Sequence, residues 1–347
     1  MSGVATDGVV VAAEGEQVPA GASPWALARR RLRRNKIAMV MAGVLAIIVV
    51  ACLAAPLYAR DIAHTNPFQS NLDGTTIVNG KRVLVMPPST TGLGLGSVPI
   101  GPTWDPRHYL LGADDQGRDV AARLLYGGRN SLLIGTAAAL IACFFATMIG
   151  IVAGYFGGLL DGVLSRLLDV VWAFPVYLLA ISLSTVLLTR SFSLGPFKLQ
   201  SGSLLLPILI IGVVYIPYVA RPIRGEVLSL RRREFVEAAE GLGASTWRVL
   251  WSDILRNVVT TAIVFFPLML AIDMLTEAAL SFLSIGVQPP DASWGTIILD
   301  GQGLLYTRPT VALAPGIAIA VTVLALNVLG DGVRDALDPR AKLRGVD

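Results

Sequence analysis

Six apolar runs constrain this chain more than any other feature: 37–58, 131–156, 167–188, 204–220, 258–283 and 311–329. Each is close to the ~20 residues that a helix needs to cross about 30 Å of hydrocarbon. The predicted fold is therefore all-α, a polytopic membrane helix bundle with six transmembrane helices. Composition agrees: 54% of residues are hydrophobic and only 15% charged, far more apolar than an ordinary soluble domain.

The basic residues orient the bundle. Arg29, Arg30, Arg31, Arg33, Arg34 and Lys36 precede the first run, seven arginines lie between Arg221 and Arg256, and Arg334, Arg340, Lys342 and Arg344 follow the last. Positive loops stay in the cytoplasm, so both termini are expected there. The net charge of +4 reads as membrane orientation, with no nucleic-acid partner. The expected order is a disordered cytosolic tail (1–28), a basic segment with the first span (29–58), an extracellular insert (59–130), a permease core (131–331) and a cytosolic C-terminal tail (332–347). Within the insert, Asn79-Gly80 between β-branched pieces predicts a hairpin.

Between the fourth and fifth runs lies a charged loop, 221–257, patterned as two short amphipathic helices. Phe235, Ala238, Ala239 and Leu242 share one face, and Arg233 and Glu237 are spaced to pair on the other. Gly241 and Gly243 break the run, and Ser245 is placed to cap a second helix whose Trp247, Leu250, Trp251, Ile254 and Val258 form a stripe. A polar insert of this kind is built to meet a soluble partner.

Glu237-Ala238-Ala239, three intervening residues, Gly243-Ala244-Ser245 and then Ile254-Leu255 resemble the "EAA" loop of bacterial ATP-binding-cassette importer permeases. One departure is Arg256, where a proline usually follows the Ile-Leu pair. Three further blocks, 110–135, 276–295 and 326–340, resemble the C-type permease subunit of dipeptide and oligopeptide importers. The resemblance implies a coupling loop, 224–257, in which Glu237, Ala238, Ala239, Gly243, Ala244, Ser245, Trp247 and Arg248 meet a cytosolic ATPase. It also implies a second homologous permease, two ATPase subunits, an extracellular solute-binding protein and a place in the bacterial inner membrane. ATP and magnesium would belong to the partners, with no cofactor and no catalytic residue in this chain. Peptide is the cargo that the resemblance implies; nickel chelates, sugars or another small solute are alternatives with the same architecture.

Other signals have simpler readings. Gly112 and Gly117 have phosphate-loop spacing, but Arg118-Asp119 stand where Lys and Ser/Thr are required. The stretch reads instead as a helix start capped by Asp114 and ended by Gly127-Gly128. His64 and His108 read as surface residues, and no metal site is expected from them or from Cys52 and Cys143, which lie in predicted spans. Arg166 and Asp169, at i and i+3, are expected to neutralise each other. Pro175, Pro207, Pro217, Pro267 and Pro315 fall inside the runs and permit kinks. Asp273 and Glu277 sit one turn apart in the fifth run, and buried carboxylates there suggest a translocation pathway or gate near its outer end. A remote rival, an ion-coupled secondary transporter using that pair, predicts an internal repeat of broken helices; none is seen.

Overall fold

The computed structural model describes residues 24–78, 80–89, 96–189, 192–194, 197–199 and 203–338. It begins with α1 (Pro24–Arg34), α2 (Lys36–Leu53) and the short α3 (Ala55–Leu57). The insert follows, with β1 (Thr75–Val78) paired antiparallel to β2 (Lys81–Leu84). Then come α4 (Val120–Phe156), α5 (Gly158–Ala173), α6 (Val176–Thr189), the small pair β3 (Phe192–Leu194) and β4 (Phe197–Leu199), α7 (Leu205–Val214) and α8 (Ile216–Leu230). The chain ends with α9 (Glu234–Gly241), α10 (Thr246–Arg248), α11 (Leu255–Phe282), α12 (Trp294–Gly301) and α13 (Thr310–Leu337). Among the described residues five helical stretches are long and apolar enough to span a membrane, or six if a bent pair counts as one.

That bent pair corrects the reading of 167–188 as one straight span. α5 and α6 meet at 87°. Phe174 is extended (φ −85°, ψ 138°), because the residue before a proline is pushed out of the helical region and Pro175 has no N–H to continue the ladder. Residues 24–28, expected in the disordered tail, are instead helical. Helix α1 begins at Pro24, with proline at its first position and Ala28 buried; residues 1–23 lie outside the described set. The predicted hairpin forms with a two-residue connection whose Gly80 takes φ +75°, while Asn79 is not described.

Helix α4 is the centre of the bundle. Most of its buried residues are small, among them Gly127, Gly128, Ser131, Gly135, Ala138, Ala139, Ala142, Ala146, Gly150, Ala153 and Gly154. Lipid tails are as apolar as leucine, so membrane helices gain by close backbone approach, and small residues allow it. Helices α2, α7, α8, α11 and α12 all pack on α4. A Cβ on Gly150 would stand 2.6 Å from Ile223 Cγ2 and 3.1 Å from the Ala220 carbonyl of α8. Helix α13 in turn packs against α11, α12, α2 and α1.

Gly150→Ala should therefore destabilise the bundle by about 1–3 kcal/mol, the range for overpacking a rigid site. Gly225→Ala, in the exposed interior of α8 where a Cβ meets nothing within 4 Å, should keep stability or raise it by up to ~1 kcal/mol. Thermal unfolding of the two variants in detergent, followed by circular dichroism, checks the contrast.

Candidate functional site

The charged loop folds as a hairpin, though not as two free-standing helices. Helix α8 extends the fourth span to Leu230, and residues 231–233 turn into α9. Arg233 is extended at the N-cap (φ −84°, ψ 143°). It therefore lies outside the helix, and the expected Arg233–Glu237 pair is not formed among the described residues. Glu234 and Glu237 occupy the first turn, where the helix dipole favours anions. Leu242 and Gly243 close the helix, Gly243 taking φ +79°, and Ser245 Oγ accepts from the Arg248 N–H at 3.4 Å. The second arm is α10 plus a π-helical turn, Val249–Ile254, that leads straight into α11. With Arg256 where a proline could have broken the helix, the arm is the polar end of the fifth span.

One side of the hairpin is anchored and the other bare. Val236, Val249 and Ile254 are buried, and Ala239 and Ala244 pack against the core. Tyr155 Oη, at the end of α4, donates to Glu240 Oε1 at 2.8 Å, and Arg231 donates to the Tyr155 carbonyl at 2.9 Å. Glu237, Ala238, Gly243, Ser245 and Arg248 are exposed. Beside them stand Phe235, Trp251, Trp247 (68% exposed) and Leu242 (89% exposed). The predicted coupling residues are thus exposed on the hairpin, except Ala239 and Ala244, which pack against the core.

Two polar clusters lie along α4. In the first, both carboxylates of the fifth span are fully buried, but only Glu277 is hydrogen-bonded. Its oxygens accept from Ser131 Oγ of α4 at 2.7 Å and Ser281 Oγ at 2.6 Å. Ser131 Oγ accepts in turn from the Trp294 N–H of α12 at 3.1 Å, and Ser281 Oγ from the Val287 N–H at 3.0 Å. Asp273 has no hydrogen-bond partner among the described residues.

The second cluster was not anticipated. Arg118 Nε meets Asp114 Oδ2 at 2.7 Å, and the guanidinium groups of Arg118 and Arg123 reach Asp300 Oδ2 at 2.9 and 2.7 Å. Asp114, Arg118 and Arg123 are all buried. The cluster fastens the insert and the start of α4 to the last residues of α12. Burial raises the Asp300 carboxyl, and the two arginines oppose that shift.

Three local expectations are corrected here. Asp114 does not cap α4; Asp119 does, its Oδ1 accepting from the N–H groups of Ala121 and Ala122, while burial pushes its carboxyl up to about 6. Gly127-Gly128 do not end the helix, which continues to Phe156. Asp169 pairs across helices with Arg221 at 2.9 Å instead of with Arg166. His108 is a surface residue with a partner, its Nδ1 lying 2.8 Å from Asp105 Oδ2.

A family model described as "Binding-protein-dependent transport system inner membrane component" matches residues 146–343, more than half of the chain. The chain belongs to this family. A second model, the N-terminal transmembrane domain of oligopeptide transport permease C, matches residues 23–74. Similar relatives include the dipeptide transport system permease protein DppC of Alkalihalophilus pseudofirmus, 34% identical over 92% of this chain and 91% of its own length. The oligopeptide permease protein OppC of Bacillus subtilis is 33% identical over 92% and 91%. The glutathione permease protein GsiD of Escherichia coli O6:K15:H31 is 34% identical over 92% of each. A solved inward-facing MetNI methionine ABC transporter chain is 16% identical with a TM-score of 0.50, covering 62% of this chain and 96% of that one, which speaks to the fold alone. This inner membrane component is a permease subunit of a binding-protein-dependent transport system, and the ion-coupled rival is set aside.

Removing one partner of the buried knot leaves charges without compensation. Arg123→Gln should lower stability by about 3–5 kcal/mol, whereas Arg107→Gln, exposed in the insert, should shift it by less than ~0.5 kcal/mol. Denaturation curves of both variants in detergent check this.

Proposed function

We propose that this chain is one non-catalytic permease half of an ATP-driven importer of di- or oligopeptides. The single observation that carries the reading is the hairpin, which exposes Phe235 and Leu242 on its first arm and Trp247 and Trp251 on a second arm continuous with a spanning helix. The peptide-named relatives support the cargo. Two cytosolic ATPases would bind this hairpin and its counterpart on a second, similar permease, and a solute-binding protein would deliver peptide from outside. The basic residues in α1, in the hairpin and after α13 support a cytoplasmic location for both termini. ATP and magnesium act on the partner subunits.

A push on the hairpin has two routes into the bundle. One runs through Tyr155 into α4, and the other through the π turn into α11, whose 28 residues form a lever of about 42 Å. Both helices meet again at Ser131 and Glu277 beside the N-terminus of α12. Displacement of the hairpin therefore reaches the Glu277 cluster, which acts as a gate, and the outward- and inward-facing states alternate.

Gly243→Asp and Glu237→Lys should each lower peptide uptake by at least about tenfold, equal to ~1.4 kcal/mol of lost docking, with normal amounts of permease in the membrane. Unchanged uptake with ATPase still co-purifying in both variants would exclude the hairpin as the dock. A cysteine at Ser70, exposed in the insert, should label with an impermeant reagent in intact cells; labelling only after lysis would invert the orientation. Glu277→Gln should slow uptake of all accepted peptides alike and Asp273→Asn should have a smaller effect. A changed ranking of peptides at unaltered maximal rate would make Glu277 a reader of cargo.

A further inference from the structure

The hairpin accounts for one basic region of the chain, whereas the arginines of α1 have so far served only to orient the bundle. Helix α1, PWALARRRLRR, carries five arginines and no acidic residue over eleven positions. It is held in place by its other face. Ala28 is buried, a Cβ at Gly332 of α13 would meet Leu32 Cδ1 at 3.4 Å, and Arg31 donates to the Asp338 carbonyl at 3.2 Å. Arg31 is thus held at the end of α13 through a backbone carbonyl. Arg29, Arg30 and Arg33 are exposed, as are Trp25 and the following Lys36.

The chain breaks between α1 and the first span. Asn35 is extended (φ −74°, ψ 95°), and its side chain caps α2 by accepting from the Ala38 N–H. Helix α1 is consequently not a rod-like continuation of α2. It is a separate amphipathic helix seated where α2 begins and α13 ends, at the level where an apolar span gives way to headgroups. A helix with an arginine-rich face and an exposed tryptophan at that level meets the negative charge of lipid headgroups, and tryptophan itself favours that zone.

We propose that the exposed face of α1 is a docking surface for anionic phospholipid headgroups, bound by Arg29, Arg30 and Arg33. Charge complementarity selects the occupant: Arg29, Arg30, Arg33 and Lys36, with no acid among them in the sequence, attract phosphate diesters of net negative charge over zwitterionic ones. The full-length chain, reconstituted without partners in phosphatidylcholine bilayers, tests this with spin-labelled phosphatidylglycerol and spin-labelled phosphatidylcholine as probes. The wild-type chain should associate with phosphatidylglycerol at least about threefold more strongly than with phosphatidylcholine, and the preference should weaken in high salt. Arg29→Gln, Arg30→Gln and Arg33→Gln combined should bring the ratio close to one, while Arg60→Gln, exposed after the first span, leaves it unchanged. Equal association of both lipids with the wild-type chain overturns the proposal. So does a triple variant that keeps its lipid preference while losing co-purification of cytosolic subunits, for the face would then serve a protein.

Discussion

The close approach of α4 to its neighbours is the constraint on which the rest depends. In lipid no hydrophobic gain separates a helix–helix contact from a helix–lipid contact, so the bundle relies on packing and on hydrogen bonds between helices. A face rich in glycine, alanine and serine lets α8 and α11 come near enough for both. Gly135 faces Met274 and Gly150 faces Ile223 with no room for a Cβ. Ser131 lies on the same face, and that proximity alone lets its hydroxyl reach Glu277, 146 residues away.

Around that face the charges of the bundle fall into two kinds. Those at the knot are buried or nearly so but compensated: Asp114 and the half-buried Asp300 each face two arginines. Glu277 is compensated differently, by two serine hydroxyls that are themselves tied to α12 and to the loop before it. The consequence is a short helix held at both ends. Ser293 and Trp294 fix its start and Asp300 its last turn, so α12 moves with α4. Asp273 is the exception, a buried carboxyl without a hydrogen-bond partner among the described residues. Such a group is costly unless it is neutral or met by a partner.

The two ends of α11 connect these clusters to the hairpin. Because the second arm of the hairpin passes through a π turn into the span, without a proline break, the fifth helix is mechanically continuous from Thr246 to Phe282. A separate coupling helix would have left a flexible joint there. The amphipathic α1 has the opposite design: Asn35 breaks it from its span, so it can lie where the first helix could not.

Much of this architecture was legible in the sequence, because its signals are local. A run of twenty apolar residues demands a span whatever surrounds it, Gly243 and Ser245 specify a turn and a cap through their own backbones, and the EAA loop carries the family in consecutive residues. Pro175 marked a kink, since the restriction on Phe174 is a property of one dipeptide; the 87° angle was set by what α5 and α6 pack against. Ion pairs marked the limit. Spacing along one helix suggested Arg166 with Asp169 and Arg233 with Glu237, but Asp169 found Arg221, 52 residues on, and Arg233 lay outside its helix. Arg118 and Arg123 likewise found Asp300, 182 and 177 residues away. A span, a turn or a cap is decided by the free energy of a few neighbouring residues, and the sequence alone determined those. Which charges meet is decided by which faces come together when helices pack on α4, and only the tertiary structure could decide that.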